Sequence, residues 1–273
     1  MTLSIITINY NNRDGLQRTL DSVVSQTFTD YEWIVIDGGS TDGSRELIEQ
    51  YADHFAYWCS EPDKGIYNAM NKGIAHAKGE WLQFLNSGDW LYEDTTLEKV
   101  FSKEYKADIL YCDVILHWPN LQSKFETKPD KIDIHFFLNE NTLSHQSTFY
   151  NNTVFKNHLY NESFRIVSDW ELYLILLSEN YKFLHLPLYV SNIMMDGISC
   201  RNGHITVNER HKILENYIPN CFKEDFKRIK ETKNIDNIVL KHKSLRYLFN
   251  IQEKIFHWAS LIINRIENLK NKN

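Results

Sequence analysis

A chain of 273 residues with 42% hydrophobic and 14% aromatic side chains has ample material for a core, which excludes global disorder. The formal net charge of −6 is unevenly spread: residues 223–273 hold 12 Lys/Arg against 6 Asp/Glu, leaving 18 against 30 in residues 1–222. An acidic body argues against general nucleic-acid binding, so no nucleic acid is expected as a partner. Leu3–Asn9 is too short for a signal peptide and runs into polar residues, and no apolar run is long enough to span a bilayer; a cytoplasmic location is the expectation. Cys59, Cys112, Cys200 and Cys221 lack paired short spacings, which suggests neither a zinc site nor a disulfide scaffold.

In chain order, strands are expected at Leu3–Asn9, Glu32–Asp37, Ala56–Ser60 and Trp81–Leu85, 24 to 29 residues apart. Between them Leu16, Leu20, Val23 and Val24 fall at helical spacing, and further helices are expected from about Ser44 to Tyr51 and Ile66 to Ala77. Strand–helix alternation with such connections predicts an α/β fold with a mostly parallel sheet covered on both faces. Ligands of such sheets bind beyond the carboxyl ends of the strands, here the polar loops starting at Asn9, Asp37, Glu61 and Asn86. Further on, Asp108–Leu116, Ser144–Tyr150 and Tyr181–Val190 read as strands, the last interrupted at Pro187, and Asp169–Ser178 as a helix. A boundary is placed at 208, followed by a helical extension over 209–273 whose apolar stripe runs from Leu245 to Ile266.

The segment EWIVIDGGSTDGS delivers Asp37 to a strand end, where Gly38 and Gly39 let the backbone turn closely. By itself this reads equally as a nucleotide-holding carboxylate or an ordinary strand-to-helix turn. Taken with SIITINYNN, EPDKGIYNAMNKGIAHAKGEW and LQFLNSGD, it closely resembles family 2 glycosyltransferases of the GT-A fold. The resemblance is strong over residues 1–89 and weaker over 144–199, through LSHQSTFY, VSDWEL and DGIS.

The resemblance implies that Thr7, Asn9, Asp37 and Gly38 surround the base and ribose of a nucleotide-sugar donor, a UDP-sugar, with Asp63 as a further contact. Lys64, Asn68, Asn71 and Lys72 would meet the pyrophosphate or the donor sugar. Many relatives carry Arg directly before the position of Asn71, where this chain has Met70. NSGD stands at the Asp-rich metal motif of the family and leaves Asp89 as the one carboxylate for Mn²⁺ or Mg²⁺, the remaining ligands coming from phosphates. His145 and His204 are candidate auxiliary ligands or substrate contacts, although a lone His is more often structural. Asp169 matches the position of the family's catalytic carboxylate, and its bland alternative is a helix N-cap shared with Ser168. Glu171 is the fallback, and Trp170 offers either a stacking face to an acceptor sugar or a packing role.

These roles imply an inverting single displacement onto a hydroxyl of a glycan or lipid-linked saccharide. A sugar nucleotidyltransferase is the weaker enzymatic rival, since Asn9–Asp14 has one basic residue and no glycine. A non-catalytic sugar-nucleotide-binding subunit is the rival of another class. The basic tail suggests peripheral contact with an anionic membrane, or a homodimer, through its helix.

Overall fold

A computed structural model describes residues 1–138 and 141–217. The extension beyond 217, with its apolar stripe and any membrane or dimer contact, lies outside the described residues. The elements in chain order are β1 (Leu3–Asn9), α1 (Arg13–Val24), β2 (Tyr31–Asp37), α2 (Ser44–Gln50), β3 (Tyr57–Ser60), α3 (Ile66–His76), β4 (Trp81–Phe84) and β5 (Trp90–Leu91). They continue with α4 (Thr96–Val100), β6 (Ile109–His117), β7 (Ser123–Glu126), α5 (Ile134–Leu138), β8 (Thr148–Asn151), α6 (Asn152–Asn157), α7 (Ser168–Ser178), β9 (Phe183–Met194), α8 (Ile198–Arg201) and α9 (Gly203–Tyr217).

One mixed sheet runs in the order β3-β2-β1-β4-β8-β6-β9-β5, with β7 beside the far end of β6. The expected parallel order holds from β3 through β4. Beyond it β8 joins both β4 and β6 antiparallel, and β9 lies parallel to β6. Two antiparallel steps restore direction, so β1, β2, β3, β4, β6 and β9 all point the same way and their carboxyl ends share one rim.

Alternation along doubly buried strands builds two cores. Ile6, Ile8, Ile34, Ile36, Leu82 and Phe84 face α3, α6 and α7, whereas Leu3, Ile5, Trp33, Val35 and Trp81 face α1, α2 and α4. Both faces are apolar because both are covered, which is why these strands read as near-continuous hydrophobic runs. The connection into β4 is tight: a Cβ at Gly79 would lie 2.5 Å from Ser4 N and 2.6 Å from Leu3 C, both backbone atoms of β1. Gly79→Ala is therefore expected to cost about 1–3 kcal/mol, checked by urea unfolding; an unchanged midpoint would show that β1 yields at no cost.

The expected strand at Ser144–Tyr150 is a 3₁₀ turn, His145–Ser147, followed by β8. β9 is longer than expected and runs through Pro187, with register shifts against β6 on either side of Asp113. Those irregularities accommodate the proline, which cannot donate to a ladder. Helix α9 passes without a break through residue 208, and Glu209 on it accepts hydrogen bonds from Arg165 N at 2.8 Å and Ile166 N at 3.0 Å.

Candidate active site

Asn9, Asp37 and Ser60 lie side by side in the register of β1, β2 and β3. Asp37 is wholly buried, and its carboxylate accepts from Asn9 Nδ2 at 2.7 Å, Ser40 Oγ at 2.5 Å, Ser60 Oγ at 2.7 Å, Ser40 N at 2.9 Å and Gly39 N at 3.2 Å. Burial alone would raise its pKa, but the hydrogen bonds of Ser40, Ser60 and Asn9 prevail and hold it below the ordinary carboxylate value. Asp37 thus organises the loop at the rim, and both its oxygens are engaged in doing so.

Gly38 has a different meaning from a simple turn glycine. A Cβ there would meet Asp63 Oδ2 at 2.6 Å and Tyr10 Cδ2 at 3.1 Å, so the carboxylate of Asp63 fills the space that a side chain at 38 would take. Tyr10, which the sequence reading passed over, is 66% exposed beside them. An aromatic at the exposed end of a buried strand was the available signal. Thr7 is fully buried, and its hydroxyl accepts the Trp33 indole N–H at 3.0 Å. Strand alternation turns Thr7 toward the face of Ile5 and Trp33.

Midway along α3, Lys72 is paired with Glu61 at 2.7 Å, whereas Lys64, just before the helix, is exposed and makes no ion pair with a described residue. Asn68 bonds Glu162 at 2.9 Å, and Asn71 bonds Glu162 at 3.0 Å and both the N–H and the carbonyl of Tyr160. The two amides therefore pin the 160–162 loop to α3, and Met70 beside them is buried in the core.

The NSGD turn is closed by Asp89 N on Asn86 O at 3.1 Å, with Gly88 at φ +103°, a left-handed conformation that glycine adopts without strain. Thr19 of α1 anchors it, donating to Asp89 O at 2.7 Å and accepting from Gly88 N at 3.0 Å. The Asp89 carboxylate is buried, accepting from Gln146 Nε2 at 2.8 Å and Met194 N at 3.1 Å. Burial pushes its pKa up to about 6; the Gln146 and Met194 bonds and the nearby His145 work against this, and the charge of Asp196 adds to it.

Asp169 is not the cap of α7: the N-cap position is Val167, with no side-chain capping bond, and Ser168 Oγ accepts from Asn161 N at 2.6 Å. The Asp169 carboxylate turns instead toward His145 Nδ1, 3.1 Å from Oδ2, and Tyr67, whose hydroxyl lies 3.1 Å from Oδ1 and 2.6 Å from Ile166 O. Burial first, then the charge of Asp169, raises the Tyr67 pKa well above that of a free phenol, so Tyr67 remains a donor. His145 Nε2 lies 3.0 Å from Asn86 Nδ2, so one imidazole spans the NSGD turn and Asp169. Glu171 is buried with its pKa raised by burial, against a hydrogen bond from Asn161.

Trp170 and His204 are the remaining candidates. Trp170 is 2% exposed, its indole N–H donates to Asn141 O at 3.2 Å, and the Arg210 guanidinium lies 5.2 Å from its ring. It packs the core and offers no open face to a sugar. His204 is exposed on the first turn of α9 with no hydrogen bond to the cluster among the described residues.

The sequence profile described as "Glycosyl transferase family 2" matches residues 4–161, and the chain belongs to that family. An uncharacterized glycosyltransferase of Mycobacterium tuberculosis is 54% identical over 89 residues, 32% of this chain and 34% of its own. A PGL/p-HBAD biosynthesis glycosyltransferase of Mycobacterium bovis is 34% identical over 175 residues, 62% of this chain and 66% of its own. The matches thus span between a third and just under two thirds of those relatives. Among solved structures, S. aureus TarS 1–349 in complex with UDP-GlcNAc superposes with a TM-score of 0.62 at 17% identity, covering 96% of this chain and 80% of that one. The mannosyltransferase PcManGT of Pyrobaculum calidifontis, in complex with GDP-Man and Mn²⁺, gives 0.60 at 13% identity, covering 99% and 88%. At these identities the likeness is one of fold.

Proposed function

We propose that the protein is an inverting glycosyltransferase that moves a hexose or N-acetylhexosamine from a UDP-sugar to a hydroxyl of a glycan or lipid-linked saccharide. The observation that carries this reading is the convergence, through His145, of the NSGD turn and the carboxylate of Asp169 at the carboxyl rim.

The base would stack on exposed Tyr10 beside Gly38, with Asp63 accepting its N–H or a ribose hydroxyl. Asp37 acts one step back, holding Asn9, Ser40 and the turn at Gly39 in place. Lys64 is the cation left to meet the diphosphate.

Among the described residues no three His, Cys, Asp or Glu side chains cluster, but Asp89 is a buried carboxylate in the field of Asp196, and each of its oxygens accepts one hydrogen bond, from Gln146 Nε2 and from Met194 N. That suits a hard cation with one protein carboxylate and phosphate oxygens as its other ligands. Asp89 would hold Mn²⁺ or Mg²⁺, and the bound cation would neutralise the charge that builds on the leaving diphosphate.

Asp169, oriented by His145 Nδ1 and by the Trp170 N–H, takes the proton of the acceptor hydroxyl as that oxygen attacks opposite the leaving group. An α-linked donor then gives a β-glycoside. A panel of UDP-sugars with Mn²⁺, assayed for released UDP and for product on saccharide acceptors, tests the reading. Asp169→Asn is expected to retain UDP affinity and lose at least 100-fold in transfer rate. Near-parental transfer by a folded Asp169→Asn would remove the base assignment. Parental protein that binds UDP and turns over no donor would be a binding subunit instead.

No helix among the described residues is long and apolar enough to cross a membrane. Contact with a membrane or a second copy through the tail remains a proposal, tested by removing residues 243–273 and measuring liposome sedimentation and molecular mass. Loss of neither would overturn it.

A further inference from the structure

We propose that the His145–Ser147 turn fixes the separation of the two chemical carboxylates, and that Gln83 and Ser191 are positioning residues acting through it. The inference rests on the roles given above to Asp89 and Asp169.

Two consecutive side chains of this turn grip the two acids. His145 Nδ1 lies 3.1 Å from Asp169 Oδ2, and Gln146 Nε2 donates to Asp89 Oδ2 at 2.8 Å. Asp89 and Asp169 come from distant parts of the chain, yet their partners are neighbours on one backbone. Any displacement of this turn therefore moves both acids together.

The backbone of the turn is itself held. The carbonyl of Gln146 accepts from Gln83 Nε2 at 2.7 Å and from Ser191 Oγ at 2.6 Å, so both its lone pairs are filled. Gln83 belongs to β4 and Ser191 to β9, and both are fully buried. A buried amide and a buried hydroxyl are costly in a sheet interior unless paired. Gln83 even leaves Oε1 without a partner among the described residues. Apolar residues would serve packing better at both positions, and what the polar ones do is lock one peptide plane to two strands. The His145 ring is held at its other end too, since Asn86 Nδ2 lies 3.0 Å from Nε2. With Asn86 as donor there, Nδ1 carries the ring proton and gives it to Asp169.

The test uses the full chain with Ser191→Ala and, as a second and nearly isosteric variant, Gln83→Met. Each is measured in two ways: the ¹⁵N signals of the His145 ring, assigned with His145→Gln, and the calorimetric affinity for UDP with Mg²⁺. Urea unfolding confirms that each variant is folded. The expected result is a shifted Nδ1 signal in both variants, as the hydrogen bond to Asp169 loosens, and about five-fold weaker metal-dependent UDP binding, the factor that corresponds to one net hydrogen bond. A role in packing alone would move neither. Folded variants with parental His145 signals and parental UDP affinity would overturn the proposal. If the parent itself fails to bind UDP, the donor reading fails; shifted His145 signals in the variants would then still support the hold on Asp169, and unshifted ones would overturn it.

Discussion

Asp89→Asn is expected to abolish the metal-dependent part of UDP binding and, at the same time, to make the fold more stable at neutral pH relative to acid. The first half follows because Asp89 is the carboxylate proposed to hold the cation. The second follows from burial, which pushes its pKa up to about 6, well above the ordinary carboxylate value. A carboxyl whose folded pKa is raised contributes most to stability below its unfolded value, and that contribution is lost as pH rises through the folded value. Ionising Asp89 in place thus costs the native state up to about 3 kcal/mol above pH 6–7. Asn carries no such charge, although it can accept from only one of Gln146 Nε2 and Met194 N. The pH dependence of the difference is therefore the informative quantity. Urea midpoints of parent and variant at pH 4.5 and 7.5 should show the variant gaining ground at the higher pH, and parallel pH profiles would contradict the buried charge. UDP calorimetry with and without Mn²⁺ reads the other half, and equal metal enhancement in both proteins would remove the metal assignment.

Asp37→Ala should be the most destabilising substitution at the rim, by about 3 kcal/mol or more. It removes the acceptor of three side chains and two backbone N–H groups at once. The sign of its pH dependence is opposite to that of Asp89. The folded pKa is lowered, so the stabilisation is present above the unfolded value and is lost as pH falls through the folded one. The gap between parent and variant, measured by urea unfolding, should be wide at pH 7 and narrow below about pH 4. A gap of constant width would mean that Asp37 acts through shape alone. UDP binding should also weaken in Asp37→Ala, because Asn9 and Ser40 lose the group that orders them.

The parallel half of the fold was legible because β1 to β4 are covered on both faces and their apolar runs are broken by polar loops at regular intervals. The rim followed from strand polarity alone. What sequence could not supply was the direction of individual side chains. Thr7 sits among rim residues in sequence, yet strand alternation sends its hydroxyl into the core against Trp33. Asp169 was read as the base with a helix cap as its bland alternative, and its contact with His145, 24 residues earlier, is one that no local pattern encodes. Trp170 next to it read as either a sugar platform or a packing residue; α7 is apolar on nearly every side, so its indole goes inward. Gln83, Gln146 and Glu209 were invisible for a related reason: a polar residue in an apolar stretch looks like noise until its distant partner is seen.

The place of β8 in the sheet bears on how the protein acquires its activity during synthesis. β8 follows β6 in the chain but lies between β4 and β6. Until it arrives, β4 has a bare edge, the two halves of the sheet are not joined, and the turn that precedes β8 has nowhere to dock. In a nascent chain that has released only its first 140 residues, Asp89 lacks Gln146 and Asp169 has not been made. Joining the two halves of the sheet thus precedes completion of the carboxylate cluster: Asp169 follows β8 in the chain, and the Met194 N–H on Asp89 arrives only with the end of β9.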